Sequence, residues 1–172
     1  MDFQPRQIVL VDTNVILEAH QTGCWVPLAQ YFALHTVAKV VEETQTGYQN
    51  RDPEHWIDEA TLRGQLAHVE TVTEVQRVAF NMAHGHPTLD AGERDLVIYA
   101  ETLTSPVWLL NSPDMAAVRF AHRMGWIDRL VSLGAMSAHL KTRLSRDLRD
   151  NYMEQWLSRK RTELLLGQGP LR

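Results

Sequence analysis

Cysteine is almost missing from this chain: Cys24 stands alone among 172 residues. That excludes an internal disulfide and any zinc site built on cysteine, and a lone cysteine reads as a small buried residue. Long apolar runs are missing as well. No stretch approaches the roughly 18 apolar residues that a membrane-spanning helix requires, and no basic region near residue 1 leads into an apolar one. The expectation is a cytoplasmic protein with neither span nor secretory signal. Internal repeats and low-complexity tracts are also absent. What is present is 44% hydrophobic residues, enough for one α/β domain with a real core and some additional length.

Basic residues are scarce in one part and abundant in the other. Residues 1–118 carry 16 acidic against 6 basic side chains, and residues 119–172 carry 5 against 11. A polyanion is drawn to the second part and repelled by the first unless cations sit there. Solvation of exposed helix faces by Lys and Arg accounts for the same pattern, and both readings stay open.

Strand signals fall at residues 8–11, 34–38, 66–72 and 107–110. Helix signals fall at 15–19, 27–33, 39–46, 74–83 (capped by Thr73), 91–103 and 115–124. Gly47 suits the left-handed position that ends the third helix, and residues 45–58, with Asn50-Arg51-Asp52-Pro53, read as a polar excursion. Strands alternating with helices predict a mainly parallel sheet with helices on both faces, a three-layer α/β/α fold. Beyond Trp126 the strand signal fades. Residues 135–166 read as one or two helices, with Leu140, Leu144, Leu148, Tyr152, Trp156 and Leu164 in an approximate stripe and Lys141, Arg143, Arg146, Arg149, Arg159, Lys160 and Arg161 largely off it. The expected organisation is a domain over 1–130 and a helical extension over 131–172, packed on that domain or on a second copy.

Two apolar strands stop on acids. V-L-V-D-T-N at 9–14 ends on Asp12, and the strand before Asn111-Ser112-Pro113-Asp114 ends near Asp114. A parallel sheet brings both to its carboxyl edge, where α/β proteins bind ligands. Asp12 also suits the cap of the helix that follows. Glu42-Glu43 and Glu93-Arg94-Asp95 sit on helices that flank the same edge. Carboxylates gathered there repel unless a cation binds, and oxygen donors select Mg²⁺ or Mn²⁺. His84-Gly85-His86 has no third ligand nearby and reads as a polar loop, and the five tryptophans read as packing anchors.

In this order, V-D-T-N (11–14), E-E-T-Q-T-G (42–47), G-E-R-D-L-V-I-Y-A (92–100) and L-L-N-S-P-D-M-A-A-V-R (109–119) resemble the four acidic signatures of PIN-domain nucleases. That superfamily includes the toxin ribonucleases of bacterial toxin–antitoxin pairs. The resemblance implies metal-dependent hydrolysis of phosphodiester bonds with Asp12, Glu43, Asp95 and Asp114 as metal-binding and catalytic acids. Asn14, Glu93 and Ser112 are then auxiliary. Glu43 is preferred to Glu42 because family members often carry Gly four residues on, here Gly47. Ser112 stands where the family has Thr, and Pro113 is a departure. RNA is the implied substrate, with single-stranded DNA the other candidate, an antitoxin protein a candidate partner and a homodimer the expected assembly. Arg119, nearest Asp114, and Arg159, Lys160 and Arg161 are candidates to grip substrate phosphates.

Two other readings compete. A PIN-like module that binds RNA or protein without cutting has no electrostatic reason to gather carboxylates. Phosphotransferases of the haloacid dehalogenase type also start with an apolar strand ending in Asp, but usually place a second Asp where this chain has Asn14.

Overall fold

The computed structural model describes residues 2–46 and 56–167. Four parallel strands, β1 (Ile8–Val11), β2 (Ala33–Val37), β3 (His68–Glu70) and β4 (Trp108–Asn111), lie in the order β3-β2-β1-β4. Val9 pairs with Leu34 on one side and Leu109 on the other, and Val11 with Asn111. Val9, Leu10 and Val11 are fully or almost fully buried, as expected for a strand covered on both faces. From β1 the chain steps outward to β2 and β3, then returns across the sheet to β4 on the far side of β1. The direction of connection therefore reverses between β1 and β4, and the crevice beyond their carboxyl ends is the topological switch point.

Helices α1 (Thr13–Gln21) and α2 (Trp25–Tyr31) follow β1, α3 (Ala38–Gln45) and α4 (Glu59–Gln65) follow β2, and α5 (Glu74–His84) and α6 (Ala91–Thr102) follow β3. After β4 come α7 (Met115–Arg123), α8 (Leu133–His139) and α9 (Glu154–Leu165). Helices on a parallel sheet with a helical C-terminal part make the three-layer α/β/α arrangement that the alternating signals predict. No helix among the described residues is long and apolar enough to cross a membrane. Gly47 and the Asn50–Pro53 turn lie outside the described residues.

Local chemistry explains where the helices begin. Thr73 accepts from the Gln76 amide while the Gln76 side chain accepts from the Thr73 amide, and Asp90 and Glu93 form the same reciprocal box at α6. Asp12 accepts from the Val15 amide at α1 and Asp114 from the Ala116 amide at α7. Each such cap contributes about 1 kcal/mol.

Two predicted segments differ. The third strand is three residues long rather than seven, because β3 is an edge strand whose neighbour is β2 alone. The stripe from Leu140 to Tyr152 does not run along a helix. Lys141 takes a left-handed backbone (φ 52), the Ser145 amide donates to the Thr22 carbonyl, and a 3-10 turn covers 150–152. Long-range partners replace the helical ladder, yet Leu148, Tyr152 and Trp156 are still buried in the same hydrophobic core as the sheet.

The anchor of this strap is Glu18 on α1, fully buried. Arg146 reaches its two carboxylate oxygens at 3.2 and 3.1 Å, and Arg149 adds its Nε at 3.0 Å and its backbone amide at 3.3 Å. Removing Glu18 leaves two arginines exposed enough to turn to water, so the loss is that of the charged hydrogen bonds. Glu18→Ala should lower unfolding free energy by about 2 kcal/mol in urea titration. Arg159→Ala, which removes a 3.5 Å exposed pair with Asp150, should cost under about 1 kcal/mol. Equal effects of the two variants would contradict the anchoring role.

Candidate active site at the carboxyl edge of the sheet

Register sets the first contact. Because Val11 and Asn111 are paired neighbours, the residues that follow them, Asp12 and Ser112, emerge side by side. Ser112 Oγ donates to Asp12 Oδ2 at 2.6 Å, and the Asp114 amide donates back to Ser112 Oγ at 3.3 Å. The other Asp12 oxygen accepts from the Val15 amide at 2.8 Å. Asp12 is only 3% exposed.

Glu43 arrives from α3. Its Oε2 accepts from Thr13 Oγ1 at 2.5 Å, and its carboxylate fills the space beside Gly92, where a Cβ would fall 2.4 Å from Oε2. Glycine at 92 is therefore what admits this carboxylate between the first residues of α1 and α6. Its neighbour Glu42 points outward and pairs with Lys39 at 2.9 Å. Asp90 and Glu93 arrive from the start of α6. Glu93 is buried, its amide bonds Asp90 at 2.7 Å, and Asp90 itself is exposed.

Asp12, Asp90, Glu93 and Asp114 are coupled electrostatically. Burial pushes the Asp12 carboxyl up to about 7, with the charges of Asp90 and Asp114 adding to the rise and the bonds from Ser112 and Val15 opposing it. Burial likewise pushes Glu93 up to about 8, reinforced by Asp114, Asp90 and Asp12. Two acids raised by burial and by neighbouring carboxylates mark a strained constellation rather than a set of solvated caps.

Asp95 is placed differently. Two positions along α6 from Glu93 is about 200° around the helix, so the two side chains leave on different faces. The Asp95 carboxylate, 1% exposed, is gripped by Arg77 of α5 through Nε at 2.9 Å and Nη2 at 2.7 Å. This two-pronged contact of guanidinium with carboxylate joins α5 to α6. Asn14 is exposed at the start of α1, and its backbone carbonyl accepts from Tyr152 Oη at 3.3 Å.

The basic residues expected to grip phosphates divide similarly. Arg161 donates to the carbonyls of Leu130 and Ile127 and pairs with Glu154 at 3.4 Å. Lys160 pairs with Glu163 at 2.7 Å, and Arg159 reaches Asp150. These three are engaged within the C-terminal part of the chain. Arg119, half-buried on α7, makes no ion pair or hydrogen bond among the described residues.

In chemistry and charge the donors fit a hard divalent cation: Asp12, Glu43, Glu93 and Asp114 offer carboxylate oxygens whose repulsion a cation relieves. In placement they are turned to their own partners, the Val15 and Ala116 amides and the hydroxyls of Ser112 and Thr13. Among the described residues no group of three or more His, Cys, Asp or Glu side chains is disposed as a formed metal site. Comparison of the chain with family models and with curated proteins finds no match. The reading of the site therefore rests on its own geometry.

Sequence reasoning missed Asp90 and Arg77. The D-x-x-E spacing of Asp90 and Glu93 is a legible capping box, whereas the pairing of Arg77 with a residue 18 positions later has no local signal.

An acid whose pKa is higher in the folded than in the unfolded chain destabilises the fold once ionised. The ordinary values here are 3.8 and 4.5, and the folded ones about 7 and 8. The cost is therefore absent below about pH 4, grows as pH rises, and is complete above about pH 8. In EDTA the thermal midpoint should fall across that window. Asp12→Asn keeps both hydrogen bonds, since its carbonyl oxygen can accept from Val15 and its amide can donate to Ser112. The variant should match the parent near pH 4 and exceed its midpoint at pH 8 in calorimetry. A midpoint lower than the parent's at pH 8 would make Asp12 a structural cap only.

Proposed function

We propose that this protein is a divalent-metal-dependent nuclease that hydrolyses phosphodiester bonds, with RNA as its substrate. The observation that carries the reading is the convergence of Asp12, Glu93 and Asp114 at the β1/β4 switch point, with Asp12 and Glu93 pushed far above the ordinary carboxylate range. Glu43, held against Thr13 and Gly92, supplies the fourth carboxylate.

In this proposal Glu93 takes the part that the family resemblance gives to Asp95, because Glu93 shares the charge of Asp12 and Asp114 while Asp95 is bound to Arg77. Asp12, Glu43, Glu93 and Asp114 would hold the ion. When bound, it supplies Lewis acidity for attack of water on phosphorus and countercharge for the phosphate. The chain's part is orientation. Ser112 links Asp12 to the loop that carries Asp114, so the two acids keep a fixed relation. Burial raises Glu93 to about 8, so a bound cation would favour its ionised form. No side-chain nucleophile is required.

The test is incubation of the protein with RNA and with single-stranded DNA in Mg²⁺, Mn²⁺ and EDTA. RNA should be cut with either metal and not in EDTA. Asp12→Asn, Glu93→Gln and Asp114→Asn should each lower the rate by about 100-fold or more while remaining folded. Asp95→Asn should keep most of the rate and lose stability instead, as Arg77 is left without its partner. An inactive Asp95→Asn of parental stability beside an active Glu93→Gln would return the role to Asp95. RNA bound but never cut would favour the non-catalytic binding module.

A further inference from the structure

A cleft of about 600 Å³ opens beside the acidic cluster, walled on one side by the loop that ends at Leu89 and on the other by α7, with Leu164 of α9 at its edge. Its place relative to the acids follows from two caps. Asp90, which starts α6, is the next residue after Leu89 of the cleft wall. Asp114, which starts α7, bonds the amide of Ala116, also of the wall. The cleft therefore begins where the carboxylates end.

Its chemistry is the reverse of theirs. Arg119, His122 and Arg123 face it from successive turns of α7, and Pro87, Leu89 and Leu164 give it an apolar lining. Arg119 makes no ion pair or hydrogen bond among the described residues, and the Arg123 guanidinium lies 5.4 Å from the Phe120 ring centroid without a carboxylate partner. Elsewhere the guanidinium groups of Arg77, Arg146, Arg149 and Arg161 are taken up by carboxylates or carbonyls. Two cations without an anion partner among the described residues, above an apolar floor, suit a ligand that is part phosphate and part ring.

The wall is also fixed in advance. Gly85 closes α5 in the left-handed conformation (φ 67), the His86 amide donates to the Asn81 carbonyl at 3.2 Å, and the Leu89 amide donates to the Pro87 carbonyl at 2.9 Å. His86 is itself left-handed (φ 55), a backbone state uncommon outside glycine and held here by its neighbours. The volume falls within the range of small-molecule sites.

We propose that this cleft is a nucleotide subsite, in which Arg119 and Arg123 hold a phosphate and Pro87, Leu89 and Leu164 receive the ribose and base of the nucleotide next to the bond that is cut. The assignment rests on the nuclease reading of the acidic cluster, but its test does not use hydrolysis. Backbone amide spectra of the full chain are recorded in EDTA while a nucleoside 5′-monophosphate or inorganic phosphate is added.

The nucleotide should shift residues of the 87–89 loop, of α7 around Arg119 and Arg123, and Leu164. It should bind more tightly than inorganic phosphate, because phosphate alone gains nothing from the apolar floor. Arg119→Ala should weaken nucleotide binding about tenfold, with Arg119→Lys intermediate and both variants keeping the parental thermal midpoint. Asp12→Asn, which disables the acidic cluster, should bind the nucleotide as well as the parent does. Shifts elsewhere, equal affinity for nucleotide and inorganic phosphate, or full affinity in Arg119→Ala would overturn the subsite. A protein that cuts RNA but fails these tests loses the subsite alone. One that passes them but cuts nothing loses the nuclease reading and keeps a nucleotide-binding cleft.

Discussion

Mutual repulsion among carboxylates at the ends of β1 and β4 is the constraint around which this structure is arranged. Asp12, Asp90 and Asp114 each cap a helix, so the amino ends of α1, α6 and α7 are all turned toward one crevice. Their amides and the positive ends of the helix dipoles partly offset the negative charge. The offset is incomplete: burial first, and the neighbouring carboxylates after it, leave Asp12 raised to about 7 and Glu93 to about 8. Capping does not use the whole of the Asp12 carboxylate, since only one oxygen accepts from Val15. The cap is how the fold tolerates, in a buried place, a carboxylate whose other oxygen is turned to Ser112.

Two other buried acids are balanced by arginine. Asp95 has Arg77, and Glu18 has Arg146 and Arg149. Both acids are buried and both are matched by arginine, whose fork satisfies two oxygens at once. The contrast gives a physical criterion for sorting buried acids in this chain. Those with a guanidinium partner hold elements together, and those facing one another without one make up the proposed metal-binding cluster. The arginine-rich C-terminal part is read the same way, with its strap bound to α1 through Glu18. Tyr152 reaches the Asn14 carbonyl and Asn151 the Pro113 carbonyl at 3.5 Å, so the strap touches the first turn of α1 and the loop before α7.

The sheet was legible because its strands are short apolar runs that stop on polar residues, and the order of the runs fixes a parallel arrangement. Asp12 and Asp114 could be placed at one edge from that alone, and Ser112 was singled out only through the family resemblance. Glu43 and Glu42 differ by one helical step, and the structure turns Glu43 inward and Glu42 toward Lys39. The partner of Asp95 was beyond the sequence, because it depends on how α5 packs on α6 and where Arg77 lies. Residues 140–152 show a different limit. Their apolar spacing is helical, but the partners that satisfy their backbone and arginines are Thr22 and Glu18, more than 120 positions away. The burial predicted by the pattern survives while the helix does not.

The claim on which the account stands is that these carboxylates gather to receive a divalent cation. It is tested most directly by titrating Mn²⁺ into the metal-free protein at pH 7 in two buffers of different ionisation heat. With Asp12 near half-protonated and Glu93 mostly protonated at that pH, binding should saturate and release about one proton or more per ion. The measured heat should therefore differ between the buffers. Absence of saturable binding, or binding with the same heat in both buffers, would contradict the account.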